Sequence, residues 1–364
     1  AFVYSDLGNY DKAIDYLKRY AESSPGDVNP IDSMAEVYFR MGNLDEAIAK
    51  YKEVLDRKPD FVLAFPSLAY VYAFKEDYTN AMSCAIEFIA KAPSLGLKGA
   101  GSAYHSFFLC WLGRFNQALS DLQQLADLAS STGYTEGKAG TELFMGLIRG
   151  ERGEFEQSRM LIKSWYDFTS KNIPASFLDT KANYLFFLGM TDVKQGRLDA
   201  AKASLAEMKP LLAKISPASQ AQFAFLYDCF QGELLLAGGF VDTAVSVLEN
   251  VAPHAIPFAM RQEILSNYNF PFQKDILARA YVKRGEIDKA IAEYERLISF
   301  DPTREERFLI HPLYHYRLAK LYEQKGAKTK AVEQYQKFLV IWKDADADRP
   351  EAADAKKRLA GLKD

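Results

Sequence analysis

Residues 28–59 read VNPIDSMAEVYFRMGNLDEAIAKYKEVLDRKP, and this stretch decides the fold. Ile31, Met34, Ala35 and Tyr38 form one apolar stripe; Ala47, Tyr51 and Val54 form another. Steps of three and four residues place each set on one face of a helix. Gly42–Asn43 breaks the pattern between them, and Pro59 cannot continue the second helix. The stretch therefore predicts a helical hairpin. Such a hairpin shows apolar surface on both sides and needs neighbours to cover it.

The neighbours are the same unit again. Pro25, Pro59 and Pro93 are each 34 residues apart, and so are Ala13, Ala47 and Ala81. Two independent landmarks thus keep one period over three units. The alanines mark where the second helix must let a partner backbone approach. Turn, small residue and proline fall in the order of the tetratricopeptide repeat, W-x2-LG-x2-Y…A-x3-F…P. Ile31 stands for the Trp, Met34–Ala35 for the Leu-Gly and Tyr51 for the Phe, so the chain resembles that family. The resemblance implies an all-α, right-handed superhelix of about nine hairpins closed by a C-terminal capping helix.

From residue 99 the period lengthens. The turn glycine recurs at Gly113, Gly153, Gly196 and Gly239, each shortly before Ala118, Ser158, Ala201 or Ala244. The last two intervals are 43 residues, and Gly146, Gly189 and Gly232 keep that period. The simplest reading adds a turn to each helix and lengthens the links at 169–176 and 213–220. The Gly-rich run SLGLKGAGSAY after Pro93 is expected to be a flexible joint. It has neither the strand nor the G-K-[ST] that would make it a phosphate loop. Asn250 to Pro271, with three prolines, is expected to be a loop holding a short helix at Ala259–Ser266. Regular units then return in 271–302, marked by Leu277, Ala278, Tyr281, Gly285, Ala290 and Tyr294. An insertion around TREERFLIHP separates them from a ninth unit with Leu318, Ala319, Tyr322, Gly326, Ala331 and Tyr335. Ala352, Ala355, Leu359 and Leu362 give the last helix one narrow apolar face, suited to capping. Three sections follow: regular units over 1–95, long degenerate units over 96–270, and two units with the cap over 271–364.

Bulk composition narrows the function. The 364 residues are 49% apolar, and a net charge of −3 offers no basic excess for a phosphate backbone. Nucleic-acid binding by this segment is therefore not expected. No run of about 18 apolar residues lacks charges, so no membrane insertion is expected. Cys84, Cys110 and Cys229 are scattered through helical patterns and read as core residues of a reducing compartment, hence a cytoplasmic location. Phe2, Val3 and Tyr4 stand where most of a first helix is missing. They suggest a longer protein upstream and an edge capable of self-association.

No catalytic residue, cofactor site or metal site is expected. G-x-S-x-G, H-E-x-x-H and the Walker A loop are absent. His311 and His315 have helical metal-clip spacing, but Pro312 intervenes and no third ligand is local. The resemblance implies instead a non-catalytic scaffold whose first helices line a groove for a protein or peptide partner. Carried onto matching positions, it gives Phe39, Arg40, Tyr70, Phe74, Phe107, Trp111, Phe186, Met190, Arg279 and Lys283 as groove residues. Around them fall Asp32, Glu36, Glu233, Asp275, Tyr316 and Lys320, so the expected groove is acidic at its start, aromatic in the middle and basic near its end. A chaperone-tail clamp of this family would need Asn at positions held here by Ser33, Ser67 and Tyr104. The alternative is a small-molecule-sensing solenoid that reports to an upstream effector domain, and it predicts an enclosed cavity rather than an open groove. The two readings, and that of aromatics that simply fill the core, part at the exposure of the central residues.

Overall fold

The computed structural model describes residues 1–251, 264–269, 274–304 and 306–363, and its regular secondary structure is helical throughout. In chain order the α-helices are α1 (Phe2–Asp6), α2 (Tyr10–Ser23), α3 (Asn29–Met41), α4 (Leu44–Arg57), α5 (Ala64–Phe74), α6 (Tyr78–Lys91) and α7 (Leu95–Trp111). Next come α8 (Phe115–Ser131), α9 (Thr135–Glu151), α10 (Phe155–Asn172), α11 (Phe177–Gln195), α12 (Leu198–Leu212), α13 (Pro217–Ala237) and α14 (Val241–Leu248). The last are α15 (Ile276–Arg284), α16 (Ile287–Ile298), α17 (Pro312–Gln324), α18 (Lys328–Ile341) and α19 (Pro350–Lys363). Consecutive helices pair as antiparallel hairpins, which stack as in a repeat solenoid.

The repeat landmarks work as packing devices. Ala13, Ala47, Ala81, Ala118, Ser158, Ala201, Ala244, Ala290 and Ala331 are all fully buried. A larger side chain at any of them would force the facing helix away, at a cost of about 1–3 kcal/mol. The stripes of residues 28–59 are buried as well: Ile31, Met34 and Ala35 on α3, and Tyr51 and Val54 on α4. Helices α2, α4 and α6 each end two residues before their proline. Turn residues adopt positive φ at Gly42, Gly113, Gly153, Gly196, Gly239, Gly285 and Gly326. In the third unit Glu76 replaces the glycine and holds φ of 60°, as the one non-glycine residue to do so among those described.

Two expectations about local structure change. The Gly-rich run is no joint: Gly96, Gly99 and Gly101 lie inside α7. A Cβ at Gly101 would fall 2.7 Å from Ile89 Cγ1 and 3.2 Å from the Ile89 backbone nitrogen, so this glycine permits a close helix crossing. The extra residues of the long units mostly lengthen first helices rather than links. Helices α9, α11 and α13 run to 17, 19 and 21 residues, against 13 in α3. The short helix expected at Ala259–Ser266 falls largely outside the described residues, where Ile264–Asn269 forms a π-helical turn.

Compactness divides the described chain into two units. The first holds Ala1–Phe108 and Phe300–Leu309; the second holds residues 109–251, Leu265–Ser299 and 310–363. In the first, the Phe2 and Val3 side chains are exposed and Tyr4 stacks on Tyr16 at 5.4 Å. In the second, the chain returns to its own start. Trp342 Nε1 donates to the Trp111 carbonyl at 2.8 Å, and the Asp346 carboxylate accepts the Asn116 N–H at 2.8 Å, in the first turn of α8. Helix α19 packs on α18 through Ala352, Ala355, Leu359 and Leu362.

Candidate peptide-binding faces

Between α16 and α17 the chain runs for thirteen residues, Ser299 to His311, without helix or strand among those described. Its portion Phe300–Leu309 belongs to the first unit and crosses the C-terminal ends of α3 and α5. Arg307 fixes it there. Its side chain is 1% exposed. Nε donates to Phe39 O, Nη2 to Arg40 O and Pro302 O, and Nη1 to Arg304 O and Glu306 O. A guanidinium has five N–H donors. All five are used. Phe39 and Arg40 lie in the last turn of α3, where the helix dipole is negative and carbonyls can take a further donor, as Phe39 O does beside the Gly42 N–H. A buried cation is favourable at that position for both reasons.

The rest of the segment is held by side chains of the same two helices. Tyr70 donates its hydroxyl to Arg307 O at 2.8 Å. The Phe300 ring meets Phe74 edge-on at 5.8 Å, and Phe74 in turn meets Phe39 at 5.6 Å. Arg307 lies over the Phe300 ring at 5.6 Å. Phe300 and Pro302 sit against the bare backbone of Gly42, within about 3 Å of where a Cβ would be. Backbone carbonyl, arginine and aromatic of the segment each have a partner.

The second unit carries a different surface. A cavity of about 250 Å³ is walled by Phe115, Trp342, Leu313 and His311 and by the charged groups Glu151, Lys194, Glu233, Asp275, Arg279, Arg317 and Arg349. A second hollow of about 430 Å³ shares Glu233, Arg279 and Arg317 with the first. It adds Leu236, Ala237, Val282, Lys283, Tyr294, Lys320 and Leu321. Between the two runs an ion ladder. Arg279 pairs with Glu233 and, at 3.0 Å, with Asp275, while Arg317 and the Tyr294 hydroxyl also bind Asp275. Burial alone would raise the Asp275 pKa, but the Arg317 and Arg279 charges outweigh it and hold the carboxyl well below the usual range. His311 is pushed down to about 3 by burial, with Arg317 adding to the effect, so the imidazole is neutral. Its Nδ1 accepts the Leu313 N–H at 3.2 Å.

The expected groove residues separate into groups. Phe39, Arg40, Tyr70 and Phe74 all touch Phe300–Leu309, two of them through carbonyls. They are covered, and the expected open aromatic groove is corrected to that extent. Phe107, Phe186 and Met190 are buried in helix packing. Phe186 meets Phe230 at 6.3 Å because Gly189 lets the Phe230 ring lie against its backbone. Trp111 is buried and donates Nε1 to Ile310 O at 3.0 Å. Arg279 and Lys283 do border an accessible hollow, where Lys283 donates to Leu236 O at 3.1 Å. Arg307 was not anticipated. The available signal was the apolar FLI run inside a presumed loop, since an exposed connection has little use for three large apolar residues in succession.

Among the described residues no group of three or more His, Cys, Asp or Glu side chains could hold a metal, and no helix is long and apolar enough to cross a membrane. His315 Nδ1 pairs with Gln334 Oε1 at 2.7 Å. Cys84 and Cys110 are buried and Cys229 partly so; burial pushes the Cys84 and Cys229 thiols up to about 12.

Tetratricopeptide repeat family models match residues 4–68 and 277–350. A curated relative, the transcription activator GutR of Bacillus subtilis (strain 168), is 28% identical over 162 residues. That match covers 44% of this chain and only 18% of the activator. A tetratricopeptide repeat protein from Parabacteroides merdae superposes with a TM-score of 0.43 at 13% identity, over 82% of this chain and 98% of that one. The apo form of RapI superposes with a TM-score of 0.46 at 11% identity, over 91% of this chain and 98% of its own.

Proposed function

Because the chain is a tetratricopeptide repeat protein, we propose that it is a non-catalytic interaction scaffold that binds an extended peptide or partner helix on the faces of its first helices. In this reading it is the interaction part of a larger, cytoplasmic bacterial regulatory protein. One observation carries the proposal: α3 and α5 already hold a non-helical segment by its backbone, an arginine and an aromatic ring. The partial likeness to a transcription activator supports the regulatory setting.

The test is site-specific photo-crosslinking in the source cell. A crosslinking side chain at Lys283, exposed on the first helix α15, is compared with one at Lys289, exposed on the second helix α16. Protein adducts from Lys283 and none from Lys289 are the expected result; adducts from Lys289 alone would overturn the proposal. A second reading, a small-molecule sensor, is favoured by the walled, charge-lined cavity of the second unit. It requires a metabolite that raises the melting temperature of wild type and loses that effect in Arg317→Ala.

A further inference from the structure

We propose that the Phe300–Leu309 segment is a built-in competitor. It occupies the α3–α5 face in place of an arginine-bearing, non-helical peptide from a partner, and the partner binds by displacing it. This rests on the reading of the first-helix faces given above and adds the partner's chemistry and its regulation.

The segment is attached in a way that suits exchange. Its flanking residues, Ser299 and His311, are both extended. Within the first unit, its described polar links to the helices are the Arg307 guanidinium on Phe39 O and Arg40 O and the Tyr70 hydroxyl on Arg307 O. Each is a type of bond that another chain can supply. The acceptors are main-chain carbonyls at a helix C-terminus, which would accept from any arginine placed there. Tyr70 addresses a backbone carbonyl and ignores the side chain beyond it. Gly42 leaves room for a ring or a proline, and Phe74 offers a ring for an aromatic to pack on edge-on.

These features define the partner. It is a non-helical segment with an aromatic residue, a proline two residues later at a turn and an arginine five residues after that, the spacing of Phe300, Pro302 and Arg307. Lysine would serve poorly. It has three donors and no planar fork, so it cannot bridge α3 while also ordering its own backbone carbonyls, as Arg307 does with Pro302 O, Arg304 O and Glu306 O.

The experiment uses the full chain and a fluorescein-labelled synthetic peptide, SFDPTREERFLIH, the sequence of residues 299–311. Binding is followed by anisotropy for wild type and for Arg307→Ala. The variant should bind the peptide at least ten-fold more tightly than wild type. The same peptide with alanine at the second arginine should bind neither protein. If circular dichroism shows that Arg307→Ala is unfolded, Phe300→Ser takes its place, since that ring is partly exposed and loosens the other end of the segment. Equal affinity of both proteins, no binding by a folded variant, or equal binding of the two peptides would each overturn the proposal. Those results leave the crosslinking test standing, whereas loss of Lys283 adducts with peptide binding intact would count against the wider scaffold reading alone.

Discussion

Two glycines with the same backbone conformation separate the effect of the docked segment from the strain of the turn. Gly42 has φ of 83° and ψ of 9°; Gly285 has φ of 83° and ψ of 7°. An alanine at either site pays the left-handed penalty of about 1–2 kcal/mol. The lower entropy of its unfolded chain returns about 0.4–1 kcal/mol. Gly285→Ala should therefore cost about 0.5–1 kcal/mol, since nothing lies within 4 Å of the added Cβ. At Gly42 the Cβ would meet Phe300 Cζ at 2.5 Å, Pro302 Cβ at 2.8 Å and Pro302 Cα at 3.1 Å. Phe300 can swing away, but Pro302 is ring and backbone and must move with its segment. That displacement adds an overpacking cost of about 1–3 kcal/mol, so Gly42→Ala should be the more destabilising by that difference. Hydrogen exchange supplies the local readout. Amides of 300–309 should exchange faster in Gly42→Ala and be unchanged in Gly285→Ala. Equal destabilisation by the two, with no change at 300–309, would refute the seating of the segment on α3.

Three more outcomes are expected. Gly189→Ala should destabilise the second unit by about 1–3 kcal/mol, because its Cβ would fall 2.0 Å from Phe230 Cζ; Phe230→Leu in the same chain should restore much of the loss in urea unfolding. Asp346→Ala should cost about 1 kcal/mol by removing the acceptor for Asn116 N–H at the start of α8, and exchange of that amide should report it. Burial, with Glu36 nearby, raises the Asp32 pKa from 3.8 to about 6. A carboxyl raised in the folded state favours folding while protonated, so its contribution is lost as pH rises from about 4 through 6. Asp32→Asn should therefore raise the melting temperature at pH 7.5 more than at pH 4.5, and an equal shift at both would exclude the effect.

The units were legible wherever packing demands a residue type at a fixed interval. Alanine recurs at the helix crossing because little else fits between close backbones, and Ala47 or Ala290 shows this as full burial. Turn glycines were equally visible, except in the third unit, where Glu76 holds the left-handed conformation. The long units misled on where their extra residues go. A period counts residues per repeat and carries no information on their division between helix and link, so the 19-residue α11 and the short link after α10 looked the same as two modest extensions. The Gly-rich run misled for a related reason. Composition suggested a joint, but Gly101 is required by the approach of Ile89, a contact that lies in another helix and leaves no local mark.

The candidate site divides along the same line. Which side chains point inward follows from helical periodicity, and α3 and α5 present Phe39, Arg40, Tyr70 and Phe74 at one face, as their spacing implies. Whether that face is open depends on a segment more than two hundred residues away in the chain, and no local pattern can encode it. Arg307 shows the limit most clearly. In sequence it is one of two arginines in a charged connection, and charge in a connection ordinarily means exposure to water. Its burial becomes intelligible only once α3 ends against it, because carbonyls of that terminus and of its own loop accept all five of its N–H donors. A buried guanidinium that bridges the α3 carbonyls and its own loop keeps these bonds only while both chain segments stay together. The same bonds that keep the face closed therefore make it sensitive to any competing arginine.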